Sequence, residues 1–259
     1  MNGVNGRNVR QRFPWAEEAF RRLPDPARAH ARGAARRVRA FHLPVRWGAL
    51  RRLQPLDAEY GYRRGTPIDR WYIDRFIAAH RSDLSGRVLE VQGREWSGRY
   101  AMADSTVDIL DIDGSNGDAT VLADLGVAGS LPSTSYDCIL LPQTLQYVRD
   151  PVVAVSNVWD ATRPGGVALL TVPTISKLDP GCGPDGDRWR FSASGLRTLV
   201  AEAAPAAEVT TTEYGSVLTA VAFLFGISAE ELAEEELAYR DSAYPVLTAV
   251  RIAKAGSAP

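Results

Sequence analysis

The chain has 259 residues, 45% of them hydrophobic and 24% charged, with a formal net charge of -1. That is long enough to bury one sizeable core, as a single domain with a terminal extension. Its apolar runs, such as Val217 to Gly226, fall well short of the roughly 20 residues a bilayer-spanning helix requires, so no membrane span is expected.

The opening residues 1 to 15 have no apolar core of the kind a secretory signal carries. The two cysteines, Cys138 and Cys182, form neither a metal-ligand spacing nor a disulfide framework. A reducing cytoplasm is the expected compartment, and no metal is expected. Residues 1–54 read as an Arg-rich helical N-terminal extension, with 13 arginines, no lysine and three acidic side chains. Phe20, Leu23, Val38 and Phe41 recur there at helical spacing, as on solvated amphipathic helices. A nucleic-acid or anionic-surface role is the weaker alternative. Contact with an acidic segment read as a helix, "SAEELAEEELAYRD" at 228–241, is another, within one chain or between two copies or partners.

Residues 55–259 form the expected main domain. "RVLEV" (87–91), "VDILDID" (107–113), "YDCILL" (136–141) and "GVALLTV" (166–172) are short aliphatic runs, the pattern of buried parallel strands. Between the last two, Asp150 is an expected N-cap and Pro151 suits the first helical position. Pro164-Gly165-Gly166 is expected to end that helix. Residues 207–215 read as a strand, 216–226 as a buried helix and 244–255 as a final strand. Alternating units of this kind predict a doubly wound, mostly parallel α/β sheet, with any ligand at the carboxyl ends of its strands.

In such a fold the residues after the first strand, here Gln92 and Gly93, face an anionic or polar ligand tail. A carboxylate ending the second strand, Asp111 or Asp113, binds ribose hydroxyls, because it can accept two short bonds from a vicinal diol. The alternative for this pair is a strand end with a turn-forming Asp113-Gly114.

Taken in order, "VLEV" with its Gly-containing loop, "LDID", "VLADL", "YDCILLPQTLQYVRDP" and "RPGGVALLTVP" resemble the successive motifs of the Rossmann-like S-adenosylmethionine-dependent methyltransferases. The likeness is nearest to a bacterial subgroup associated with glycosyltransferase, polysaccharide and natural-product pathways. It extends into residues 60–76, 187–199 and 225–251. The resemblance implies a seven-stranded sheet and S-adenosyl-L-methionine as cofactor. It sets Glu90 and Gly93 beside the methionine end, Asp111 on the ribose, Asp124 and the Leu125 N–H on the adenine, and Gln143 near the sulfonium. Tyr62 and Arg64 would cover the site, with Arg64 on the cofactor carboxylate. Alternatives are an Arg64–Asp69 pair and a turn-capping Asp124.

The family loop Glu-x-Gly-x-Gly-x-Gly reads Glu90-Val91-Gln92-Gly93-Arg94-Glu95-Trp96 here, so a side chain stands at the first glycine. No histidine base follows the fourth strand, where Leu145-Gln146-Tyr147 stands. Loops beyond strand ends build acceptor pockets, which makes Asp185, Trp189 and Arg190 candidate substrate contacts and Asp187 or Tyr147 candidate bases. The leading function is methyl transfer to an O or N centre of a small sugar-like or natural-product acceptor. The alternatives are an enzyme on the same scaffold that catalyses elimination, cyclisation or other chemistry, and a non-catalytic partner subunit.

Overall fold

A computed structural model describes residues 24–27, 30, 48–183 and 185–256. Phe20, Leu23, Val38 and Phe41 lie outside the described residues. The chain divides into two units, Met1–Arg52 and Leu53–Pro259. Of the first, residues 25–27 and 30 are helical and Gly48–Leu50 form a single 3-10 turn.

The second unit carries a seven-stranded sheet: β1 (Arg87–Val91), β2 (Thr106–Asp111), β3 (Val121–Leu122), β4 (Tyr136–Pro142), β5 (Thr162–Pro173), β6 (Glu208–Tyr214) and β7 (Leu247–Ala253). Their spatial order is β3-β2-β1-β4-β5-β7-β6. The first five strands run parallel, and β7 lies antiparallel between β5 and β6. This is the α/β Rossmann-like fold that the order of segments predicts. The strand order reverses between β1 and β4, so the ligand crevice of such a sheet falls beyond their carboxyl ends.

Alternation along the strands divides the core into two layers. Leu89, Ile139, Leu141, Ala168 and Leu170 face one layer, while Val88, Cys138, Leu140, Val167 and Leu169 face the other. The first layer is closed by α3 (Pro151–Ala161) and α4 (Ala193–Ala203), the second by α1 (Ile68–Ala79) and α5 (Val217–Phe225). Two short helices, α2 (Ser97–Tyr100) and α6 (Glu234–Ala238), complete the unit. Among the described residues no helix is long and apolar enough to cross a membrane.

Local signals act largely as expected. The Asp150 carboxylate accepts from the Val152 and Val153 N–H groups at 3.0 and 3.2 Å, and Pro151 opens α3. The helix ends at Ala161, however, and the Arg163-Pro164-Gly165-Gly166 tract belongs to β5. Pro164 drives the preceding residue out of helical conformation, so the break comes before the proline and not at it.

Two further expectations are corrected. α5 is not buried all round: Val217, Leu218, Val221 and Leu224 are exposed, because the helix covers only one side of the sheet. The acidic tract forms no continuous helix. It splits into a 3-10 turn at Ala229–Glu231 and the five-residue α6; a continuous helix would stack Glu230 on Glu234 and Glu231 on Glu235, like-charge pairs four residues apart.

At the end of α5, Gly226 is left-handed (φ 68°), and a Cβ there would come within 2.0 Å of the Asp57 carbonyl oxygen. Only glycine lets the 56–60 segment pass this close, where the Leu56 N–H donates to the Phe225 carbonyl at 2.8 Å. The Asp57 carboxylate then accepts from the Glu59 and Arg63 N–H groups, fixing a turn that brings Tyr60 against Phe223.

Candidate functional site

The bend after β1 is made without glycine. Gln92 has φ 67°, a left-handed conformation that costs a side-chain-bearing residue about 1–2 kcal/mol. Two bonds hold it: its N–H donates to the Leu110 carbonyl at 2.8 Å, and its own carbonyl accepts from Asn116 Nδ2 at 2.9 Å. The same Nδ2 donates to Asp111 Oδ2 at 2.7 Å, and Asp111 Oδ1 accepts from the Asp113 N–H. Asn116 thereby ties the end of β2 to the loop after β1. Beyond the bend, a Cβ placed on Gly93 would meet no atom within 4 Å, so the backbone there is open to close approach.

Glu90 is only 1% exposed, and its oxygens accept from the Trp96 and Ser97 N–H groups at 2.9 and 2.8 Å. Burial raises its pKa, and the bonds from Ser97 and Trp96 oppose that rise. The carboxylate faces inward and fastens the far end of the loop that follows β1. Asp113 accepts from both the N–H and the hydroxyl of Ser115, the main reasons its pKa is lowered, and so shapes a turn. Asp124 is exposed and caps the Gly126 N–H at 2.7 Å, while the Leu125 side chain lies in the core.

Past β4 the chain again turns left-handed, at Gln143 (φ 49°), whose N–H donates to the Thr171 carbonyl. From here opens a cavity of about 230 Å³. Gln143, Gln146 and Tyr147 form one wall, Tyr60, Tyr62, Asp69 and Arg70 a second, and Asp179, Asp187 and Arg190 a third. A larger cavity of about 700 Å³ shares Tyr60, Asp179, Asp187 and Phe223 with it and continues past Leu178, Pro180 and Leu224.

The candidate bases are thus brought to one cavity, but their electrostatics suit other work. Asp187 receives Arg190 Nη1 at 2.6 Å and Nη2 at 2.8 Å, and also the Asp179 N–H at 2.9 Å. The Arg190 bonds hold its carboxyl below the ordinary range, so it is a weak base that anchors the loop. The Tyr147 hydroxyl donates to Asp179 Oδ2 at 3.3 Å, and burial, helped by the Asp179 charge, pushes its pKa up to about 12. At neutral pH it is a proton donor.

Arg64 is not in the cavity and does not pair with Asp69. It forms a two-pronged ion pair with Glu231 across 167 residues of sequence. Trp189 lines neither cavity; its Nε1 donates to the Val148 carbonyl and its ring packs near Phe191. Asp185 is exposed and also lines neither. Tyr62, Gln143 and Arg190 do line the smaller cavity.

Residues missed in the sequence are Tyr60, Asp69, Arg70 and Gln146, together with the Asn116 bridge. Asp69 has an available signal, a carboxylate in the first turn of a helix after Pro67, within the stretch that carries the upstream resemblance. Asn116 has none, because an Asn in "DGSNGD" is ordinary turn composition.

No family profile and no curated protein sequence matches this chain. Solved structures do. One, from Thermotoga maritima, is described as an S-adenosylmethionine-dependent methyltransferase and possible histamine N-methyltransferase. It is 18% identical over 74% of this chain and 94% of its own, with a TM-score of 0.51. A methyltransferase from Mesorhizobium loti is 16% identical over 72% and 98%, with a TM-score of 0.48. The [4+2]-cyclase SpnF is 15% identical over 75% and 84%, also at 0.48. The Thermotoga likeness shows that the fold is the one methyltransferases of this kind use.

Proposed function

We propose that this chain binds S-adenosyl-L-methionine beyond β1 and β2 and directs its methyl group to an O or N centre of a small sugar-like or natural-product acceptor. The observation that carries this reading is the bend at Gln92. Although the family glycine is replaced, the backbone keeps a left-handed turn beside Asp111, with open space over Gly93. The residues fit the group: Asp111 retains lone pairs for a ribose diol, and the crevice leads toward the cavity that begins at Gln143. The ordered motifs and the shared fold support the same reading.

A bound sulfonium supplies an already activated methyl group. What remains for the protein is to hold an acceptor in line and to accommodate its proton. Gln143 and Gln146 form a linked pair lining the acceptor cavity, Nε2 of Gln146 donating to Oε1 of Gln143 at 3.1 Å. Arg190, fixed by Asp187, gives the cavity a rigid polar wall.

Calorimetry with S-adenosylmethionine and S-adenosylhomocysteine tests the site. Asp111→Ala is expected to weaken binding by about 1.5–3 kcal/mol, the range for hydrogen bonds to a charged group. Full affinity in the folded variant would remove Asp111 from the site. Absence of binding by the unaltered protein would favour the non-methylating or partner-subunit alternatives.

A further inference from the structure

We propose that Asp69 is the catalytic residue that receives the acceptor's proton, and that the acceptor presents a hydroxyl or N–H group to the cavity. This rests on the functional reading above. Asp69 stands in the first turn of α1 and lines the smaller cavity together with Gln143. Its Oδ1 is shut off from solvent and has no hydrogen-bond partner among the described residues, and the same holds for Gln146 Oε1 in the same cavity. Two sealed, unsatisfied acceptor atoms in one cavity call for a ligand that brings donors, since a buried acceptor left unpaired costs about 1–3 kcal/mol.

The other cavity carboxylates are engaged. Asp187 is held by Arg190, while Asp179 takes the Gly181 N–H and the Tyr147 hydroxyl. Burial raises the Asp69 carboxyl above its ordinary value, while the adjacent Arg70 charge and bonds from the Arg70 and Asp69 backbone N–H groups partly restrain the rise, leaving Oδ1 unpaired. Glu95, which pairs with Arg70 at 2.9 Å, pushes it further up. The phenols of Tyr60 and Tyr62 face the same carboxyl, and both are raised, first of all by burial. Asp179, Asp187 and Arg190 also line the cavity. A carboxyl so placed is a stronger base than an exposed one.

In the step, an acceptor oxygen or nitrogen lone pair forms the bond to the methyl carbon. The carbon–sulfur bond breaks, its electron pair returns to sulfur, and the acceptor's proton passes to the Asp69 carboxylate.

Sinefungin tests this without knowledge of the acceptor, because it carries an ammonium group where the sulfonium methyl would be. Calorimetry at about pH 8 should find it bound about tenfold or more tightly than S-adenosylhomocysteine, the gain for a charge-assisted hydrogen bond. Asp69→Asn should abolish that preference while leaving S-adenosylhomocysteine affinity within about twofold, which also shows that the variant folds. In the unaltered protein the preference should shrink as acid protonates Asp69. A preference that survives in Asp69→Asn, or one absent from a protein that binds S-adenosylhomocysteine normally, would overturn the assignment. Failure to bind S-adenosylhomocysteine at all would overturn the functional reading and this inference with it.

Discussion

The β1–β2 end of the crevice and the β4–β5 end use polar groups in opposite ways. At the first, Glu90 and Asp113 accept bonds from the protein itself and fasten the loop, while Asp111 accepts one bond on each oxygen and keeps lone pairs free. At the second, Asp187 and Asp179 are similarly engaged, yet Asp69 and Gln146 each keep a buried oxygen unpaired. The difference teaches that carboxylates near a strand end cannot be ranked by position. One whose oxygens the backbone occupies builds the site, and one left unsatisfied is available to a ligand.

The sharpest way to break this comparison is Glu90→Ala. It strips two buried N–H groups of their acceptor, and an expected loss of about 3 kcal/mol in denaturant unfolding follows. Loss of binding with unchanged stability would mean that Glu90 acts on ligand directly and that the two ends are alike.

Asp187→Asn is a smaller perturbation, expected to cost about 1–2 kcal/mol at neutral pH through the lost charge on Arg190. Because the folded-state pKa of Asp187 is lowered, its contribution is present above the unfolded value of about 4 and fades as pH falls through the folded one. The stability gap between the native and Asn proteins should therefore close on acidification. A gap independent of pH, measured by urea titration across the acid range, would show that the Arg190 pair is not its source.

Gln92→Gly has the smallest expected effect and the opposite sign. Relief of the left-handed strain should raise stability by up to about 1 kcal/mol, offset by the greater freedom of glycine in the unfolded chain, with cofactor affinity retained. A drop in affinity would mean that the Gln92 side chain contributes to the site, beyond the shape of its backbone.

Much of the sheet is legible in the sequence. β1 coincides with "RVLEV", and β4 and β5 enclose the aliphatic runs read for them, because a strand buried on both faces must be continuously apolar. β3 is not legible: two residues, Val121 and Leu122, carry no period. The site is less readable than the fold. Arg64 meets Glu231 and Arg251 meets Asp83 across 167 and 168 positions, and nothing local distinguishes such arginines from one another. Asp187 and Tyr147 both line the cavity, but their proton affinities depend on Arg190 and Asp179, neighbours that only the folded chain supplies.

The placement of β7 has a consequence for assembly during synthesis. Seven residues, Leu247–Ala253, pair with β5 along one side and with β6 along the other. Until the ribosome has released them, β5 and β6 each present an open, hydrogen-bonding edge, and neither can satisfy the other. The parallel half of the sheet can form early, as its strands emerge in succession, whereas the antiparallel half waits for a single late insertion. A nascent chain stalled before Leu247 is therefore the species of this protein most exposed to strand-to-strand aggregation and most in need of a chaperone.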